Sequence, residues 1–271
     1  MQYWDRLWGV SSVALVQALL LVAGAHSAEL ECLIEPYVVV NIGSAVSGLL
    51  DTVPVDRGDL VKKGQILATL ESSVETAAVE AFRARATMES PIMANLARLE
   101  LSSRKHLRDE GMFQRSLIPA DKMDETETGK RLAELSVLEA ADAKRLAELE
   151  LRRAEAEVAR RTIRSPINGV VVERLLSSGE FVNENAILKL AQLDPLRVEV
   201  FVPVARLGEI AVGMRAQVMP EAPVGGVHEA RVTVVNRVVD AASGTFGVRL
   251  DLANRNYQLP AGLKCHIRFL R

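Results

Sequence analysis

Aromatic side chains make up only 4% of this 271-residue sequence, and cysteine occurs just twice. With so few rings there is little to stack on bases, and no Lys/Arg block is flanked by aromatics. The net charge of −2 provides no overall field toward nucleic acid or an anionic surface. A nucleic-acid partner is therefore not expected. The motifs HExxH, GxSxG, CxxC and GxxxxGK followed by Ser or Thr are all missing. The four histidines (His26, His106, His228, His266) are scattered, and the seven methionines do not cluster. Without a nucleophile–base pair or a ligand set, the sequence gives no catalytic residue, no metal site and no enzyme.

Long hydrophobic runs are also missing, with one exception. After Arg6, residues 9–28 carry no charge. This pattern predicts a secretory leader over 1–27, with Ala25 and Ser27 at the −3 and −1 positions and cleavage before Ala28. The competing expectation is an uncleaved anchor, because the run nears the lower limit of about 17 residues for a spanning helix. Either way the remainder lies outside the cytoplasm. Cys32 follows Leu30 and Glu31 rather than a lipoprotein-type Leu-Ala-Gly run, which argues against lipidation. Cys265 sits on the apolar face of an alternating strand, GLKCHIRFL. Two readings stay open here: a buried small hydrophobe, or a Cys32–Cys265 disulfide favoured by an oxidising compartment.

What is present is a repeat. GDLVKKGQIL at 58–67 and GEFVNENAIL at 179–188 share a glycine, an acid, a valine two places on and a closing Ile-Leu. Gly58 and Gly179 differ by 121, as do Gly48 and Gly169, Val46 and Ile167, and Asp59 and Glu180. Two copies are too few for a solenoid. They suit two halves of one pseudo-symmetric domain with something inserted between them.

The insertion differs sharply in composition. In the 88 positions 74–161 there are 16 Lys/Arg and 17 Asp/Glu, with only Gly111, Gly129, Pro91 and Pro119 as breakers. Such a segment predicts long helices. Ser72 and Glu75 form a capping-box pattern, and Gly111 suits a left-handed stop. Pro119 can open a second helix, closed by Arg160 and Arg161. Pro91 should kink or split the first arm. Leu132, Leu135, Leu138, Leu146, Leu149 and Ala156 are expected to form the seam, against a weaker one of Ala78, Phe82, Ala86, Met93, Leu96 and Leu99. The result is an antiparallel hairpin with arms of roughly 50–60 Å. Inserted at one turn, it would let halves 37–73 and 162–192 pair across its base.

Each half alternates apolar and polar residues between glycine turns, and here the chain resembles the biotinyl/lipoyl domain. Its G-D-x-V-x-x-G-x-x-L phrase matches Gly58, Asp59, Val61, Gly64 and Leu67, while Asn185 replaces the second glycine in the other half. Where lipoyl carriers place their acylated lysine stands Val74, which has no amine, so no cofactor is implied.

A split lipoyl-like domain behind a leader resembles the periplasmic adaptor, or membrane fusion protein, family (HlyD-like and RND-type efflux adaptors). TIRSPINGVV (162–171), LDPLRVEVFVP (193–203) and LPAGLKCHIRF (259–269) agree with it. The resemblance implies an elongated α+β chain: a split lipoyl-like β domain, an inserted helical hairpin, then a β-barrel domain over 193–271. The segment 206–214 would be a short helix beside the barrel. The family's membrane-proximal domain is expected to be absent. The implied function is to bridge an inner-membrane transporter, of RND or ABC type, to an outer-membrane channel protein. The implied assembly is a ring, with six copies as one possibility, in the periplasm at the inner membrane. The implied channel-docking residues are Arg104, Leu107, Met112, Phe113, Leu117 and Ile118 around a tip at about 109–119. Pro119 stands where many efflux adaptors carry a Ser. The runner-up reading is a periplasmic coiled-coil scaffold or envelope-assembly factor without transport.

Overall fold

Alternation of Cys32 and Ile34 with Glu31 and Glu35 starts a strand well before the first lipoyl-like phrase. In the computed structural model, which describes residues 29–270, this segment opens β1 (Leu30–Ile42). Next in order are β2 (Gly48–Thr52), β3 (Leu60–Val61) and β4 (Ile66–Leu70). Helices α1 (Ser73–Ala86), α2 (Ser90–Phe113) and α3 (Ala120–Ala159) come after them. Then come β5 (Thr162–Arg164), β6 (Gly169–Arg174), β7 (Phe181–Val182) and β8 (Leu188–Pro203). Strands β9 (Arg215–Pro220), β10 (His228–Asp240), β11 (Thr245–Leu252) and β12 (Leu263–Phe269) complete the described chain. The leader expected over 1–27 lies outside the described residues, and no described helix is long and apolar enough to cross a membrane.

The offset of 121 residues reappears as symmetry. One sheet runs β5-β4-β2-β7, and facing it is β1-β8-β6-β3. Adding 121 to a pairing in the first half exchanges the sheets: Gly48 pairs Val182 as Gly169 pairs Val61. The turns match as well. Ser44 Oγ donates to Val46 O at 2.6 Å, and Ser165 Oγ donates to Ile167 O at 2.6 Å. Asp59 accepts from the Asp56 N–H as Glu180 accepts from the Ser177 N–H. The acid common to both phrases is therefore a turn lock. Both glycines that open it are left-handed, Gly58 at φ 92° and Gly179 at φ 88°, a conformation that only glycine adopts without steric cost. Gly169 is required for a different reason. A Cβ there would lie 2.1 Å from Ala191 O, because β6 and β8 approach closely.

β1 and β8 each pass through two domains. Their far ends close a six-stranded antiparallel barrel, β1-β12-β9-β10-β11-β8, back onto β1. The barrel core gathers Ile34, Val198, Val200, Phe246 and Ile267, whereas Ile42, Leu50, Leu67, Val171 and Leu190 fill the sandwich. Hence residues 30–36, which lie outside every domain expected from the sequence, supply a barrel strand. The expected boundary at 192/193 falls inside β8, with only a bulge between Pro36 and Val38 marking it. Cys32 and Cys265 face each other in the β1–β12 register with Cα atoms 4.8 Å apart and their sulfurs joined. The short helix expected at 206–214 does not form. A single 3₁₀ turn, Val204–Arg206, stands there instead, and left-handed Gly208 and Gly213 prevent it from extending.

The hairpin departs most from expectation. On α3 the half-buried or buried residues recur at alternating steps of three and four from Met123 to Val158, including Ala133, Val137, Ala140, Lys144, Ala147 and Leu151. This is a heptad seam, and its alanines allow a close interhelical approach. The expected leucine seam points outward: Leu132 is 59% exposed and Leu138 61%. On the other arm Met93 and Leu96 are likewise exposed, while Phe82, Ala86 and Leu99 take seam places. The first arm is split at Thr87–Glu89, and Pro91 sits in the first turn of α2, where its missing N–H costs nothing.

Candidate functional site

The candidate site is the far end of the hairpin, together with the base that aims it. At the base, β4 and β5 flank the insertion as antiparallel neighbours, Ala68 opposite Ile163. The capping box does not form: Ser72 makes no side-chain cap. Glu75 turns instead to Arg161, whose other nitrogen donates to Glu71 O at 2.6 Å. Glu71 itself accepts from Ser73, and those hydrogen bonds hold its carboxyl below the usual glutamate range. Arg160 donates to Ala45 O at 3.0 Å. Adjacent arginines at the end of α3 thus tie both arms to the sandwich. Val74, in the first turn of α1, is 72% exposed and offers no amine for acylation.

Along the hairpin three ion pairs bridge the arms: Arg83 with Glu155 at 3.0 Å and Arg85 with Glu150 at 3.2 Å on opposite flanks, and Lys144 with Glu89 at 3.3 Å. Toward the far end the seam turns polar. Asn95 Nδ2 donates to Ser136 O, and Thr126 is buried. His106 Nδ1 and Asp109 Oδ2 are buried without partners. Unpaired buried polar atoms cost free energy, and Glu75 Oε2 at the base is buried without a partner as well.

The turn itself departs from the expected glycine stop. The helix runs through Gly111 to Phe113. Leu117 N–H then donates to Met112 O at 3.0 Å and Ser116 N–H to Phe113 O at 2.8 Å, the paired bonds of a Schellman motif. Its left-handed residue is Ser116, φ 57°. Nothing in the residue type signals that, which is why Gly111 attracts the stop on sequence grounds. Pro119 caps α3 from outside rather than occupying its first turn. Just inside, Lys122 Nζ lies 2.5 Å from Glu125 Oε2, raising the lysine and lowering the glutamate from their ordinary values.

Of the six residues expected to dock, Met112, Phe113 and Leu117 are exposed together on the turn. Ile118 is half-buried. Arg104 and Leu107 lie lower on α2, both exposed. Among the described residues no group of three or more His, Cys, Asp or Glu is placed to hold a metal ion.

Comparison with known proteins places this architecture. Residues 38–192 match the family model "CzcB-like, barrel-sandwich hybrid domain", and 196–271 match "CusB-like, beta-barrel domain". The cobalt-zinc-cadmium resistance protein CzcB of Cupriavidus metallidurans is 23% identical over 81% of this chain. The chain spans 43% of that protein's length. MacA from Actinobacillus actinomycetemcomitans shares the fold at a TM-score of 0.74 and 20% identity, over 90% of this chain and 78% of that one. The membrane fusion protein Spr0693 from Streptococcus pneumoniae aligns at 0.59 and 16% identity, over 90% and 99%. A hairpin inserted in a two-halved sandwich and succeeded by a closed barrel is thus matched in both of its β domains, and the chain belongs to the CzcB-like barrel-sandwich hybrid family of membrane fusion proteins.

Proposed function

We propose that this chain is the periplasmic adaptor subunit of a tripartite efflux or secretion system. The observation that carries the reading is Met112, Phe113 and Leu117, exposed at the end of a rod whose 40-residue arm spans about 60 Å. Apolar side chains held far from any core serve a partner better than they serve the fold. The rod engages an outer-membrane channel protein, with Arg104, Leu107 and Ile118 flanking the contact. The sandwich and barrel contact an inner-membrane transporter of RND or ABC type. Copies assemble side by side into a ring, with a hexamer as the simplest case. The work is mechanical rather than chemical: Val74 removes the carrier reaction of the lipoyl fold. The chain reaches the periplasm through its leader, cut before Ala28, and there the Cys32–Cys265 bond stays oxidised.

A photo-crosslinker at Phe113 or Leu117, in the full chain expressed in its host, tests this. Covalent capture of an outer-membrane channel is the expected result. Recovery of only soluble or wall-associated proteins would instead favour the scaffold reading.

A further inference from the structure

The seam of the first arm slips where that arm breaks. On α1 it passes through Val79, Phe82 and Ala86, in steps of three and four. The same heptad carried on would next use Glu89, Met93, Leu96 and Glu100. On α2 the seam runs instead through Ile92, Asn95, Leu99, Ser102, His106 and Asp109, one residue early. Met93, Leu96 and Leu107, which keep the phase of α1, are therefore 62%, 44% and 68% exposed. α3 has no matching slip, since its seam holds one phase from Met123 to Val158.

The break is built into the chain. Thr87 Oγ1 donates back to Arg83 O at 3.0 Å, and among the described residues no backbone bond ends on the carbonyls of Ala86, Thr87 or Met88. Pro91 has no N–H to give Thr87 O, and its ring would collide with that carbonyl in a continuous helix. α2 thus lies between two joints, this one and the turn at 114–119, and it has no fully buried residue to fix its rotation.

The seat that α2 takes is half polar, and His106 Nδ1 and Asp109 Oδ2 are buried in it without partners. A turn of one residue, about 100°, would carry both out of the seam. Met93, Leu96 and Leu107 would enter in place of Ile92 and Leu99. Asn95 beside Ser136 and Glu89 beside Lys144 set the levels of the arms. By those levels Glu100 would come near Lys130, and Glu110 near Lys122. Ser103 and Glu110, one place beyond the seam, are already half-buried. There is room on the outgoing side, where an open groove lined by Ser102, Lys105, Thr126, Gly129 and Leu132 borders α2. A cavity of about 130 Å³ also lies under the break, between Met88, Pro91 and Ile92 on one arm and Ala140, Ala143 and Ala147 on the other.

We propose that α2 is a rotor with a second seat, turned by one residue into the phase of α1. This rests on the docking role proposed for the tip and supplies its control. In the seat shown, Leu107 stands clear for a channel; in the second it lies inside the rod. A partner that touches Leu107 binds the first seat alone and so draws the equilibrium toward it.

Cysteine pairs in the full chain report the seat. Leu99→Cys with Ala133→Cys should bond within one chain in the seat shown, and Glu100→Cys with Ala133→Cys in the second. Leu101→Cys with Ala133→Cys, turned away in both, should stay reduced. Pro91→Ala lets the first arm run on in the phase of α1 and should shift the yield from the Leu99 pair to the Glu100 pair. If the Leu99 pair alone bonds, with or without Pro91→Ala, or if the Leu101 pair bonds as readily as the Glu100 pair, the second seat is overturned. The chain locked through Glu100→Cys should lose capture of a channel from Phe113, and the chain locked through Leu99→Cys should keep it. Equal capture by both would overturn the control. Both seats bonding while even the unlocked chain captures no channel would sustain the rotor and sink the docking reading. Capture with the Leu99 bond alone would do the reverse.

Discussion

The sandwich and the hairpin come from one chain but solve burial in different ways. In the β body, Leu50, Leu67, Leu188 and Leu190 are almost completely enclosed. On the hairpin, α2 has no buried residue at all, and α3 buries only Thr126, Ala147 and Ala154. The body spends its large side chains on its own core. The rod joins its arms largely through alanine and keeps most of its leucines outside. A region that withholds its best hydrophobic groups from its own interior is built to be completed by something else.

Three substitutions sharpen that contrast. The largest effect is expected in the body. Gly169→Ala puts a methyl group 2.1 Å from Ala191 O, so β6 and β8 must separate. A loss of more than about 3 kcal/mol is expected, read by chemical denaturation. A loss under about 1 kcal/mol would show that the strands tolerate more space than their register implies. Next comes the Cys32→Ala/Cys265→Ala pair. The bond closes a span of 233 residues, and its removal should cost about 2–4 kcal/mol. Hydrogen exchange should place that loss in the barrel and leave protection of the hairpin amides unchanged. The smallest effect has the opposite sign. Ser116 holds a left-handed backbone that disfavours any side chain, so Ser116→Gly should stabilise the tip by about 0.5–1 kcal/mol. Slower exchange of the Leu117 amide, which bonds Met112 O, would register it.

Much of the fold is legible in the sequence because the repeat is written in residues with strict backbone duties. Gly58 and Gly179 must be left-handed, and Asp59 and Glu180 must lock their turns, so both halves keep the same letters 121 positions apart. The hairpin's existence is legible from charge density and from Pro119. Its seam is not. Leucines attract attention as core, yet the packing is set by alanines recurring every seven residues, at 133, 140, 147 and 154. Small residues carry almost no hydropathy signal although they decide how closely helices approach. The barrel strand in residues 30–36 is also hidden, because its partners are 160 or more residues away in β8 and β12. Of the candidate site, Met112, Phe113 and Leu117 can be named from the loop, but the left-handed Ser116 cannot, since serine has no preference that announces it.

The shared strands carry a last consequence for anyone wishing to dissect this molecule. β1 and β8 run unbroken from sandwich to barrel, paired from Cys32–Val200 at one end to Ile42–Leu188 at the other. Neither unit is a cassette that can be excised at a linker, for cutting at residue 192 severs a strand that both depend on. A bending load taken up by the rod's foot therefore reaches the barrel through a two-ply leaf spring, with the irregularity at Pro36–Val38 as its single soft point.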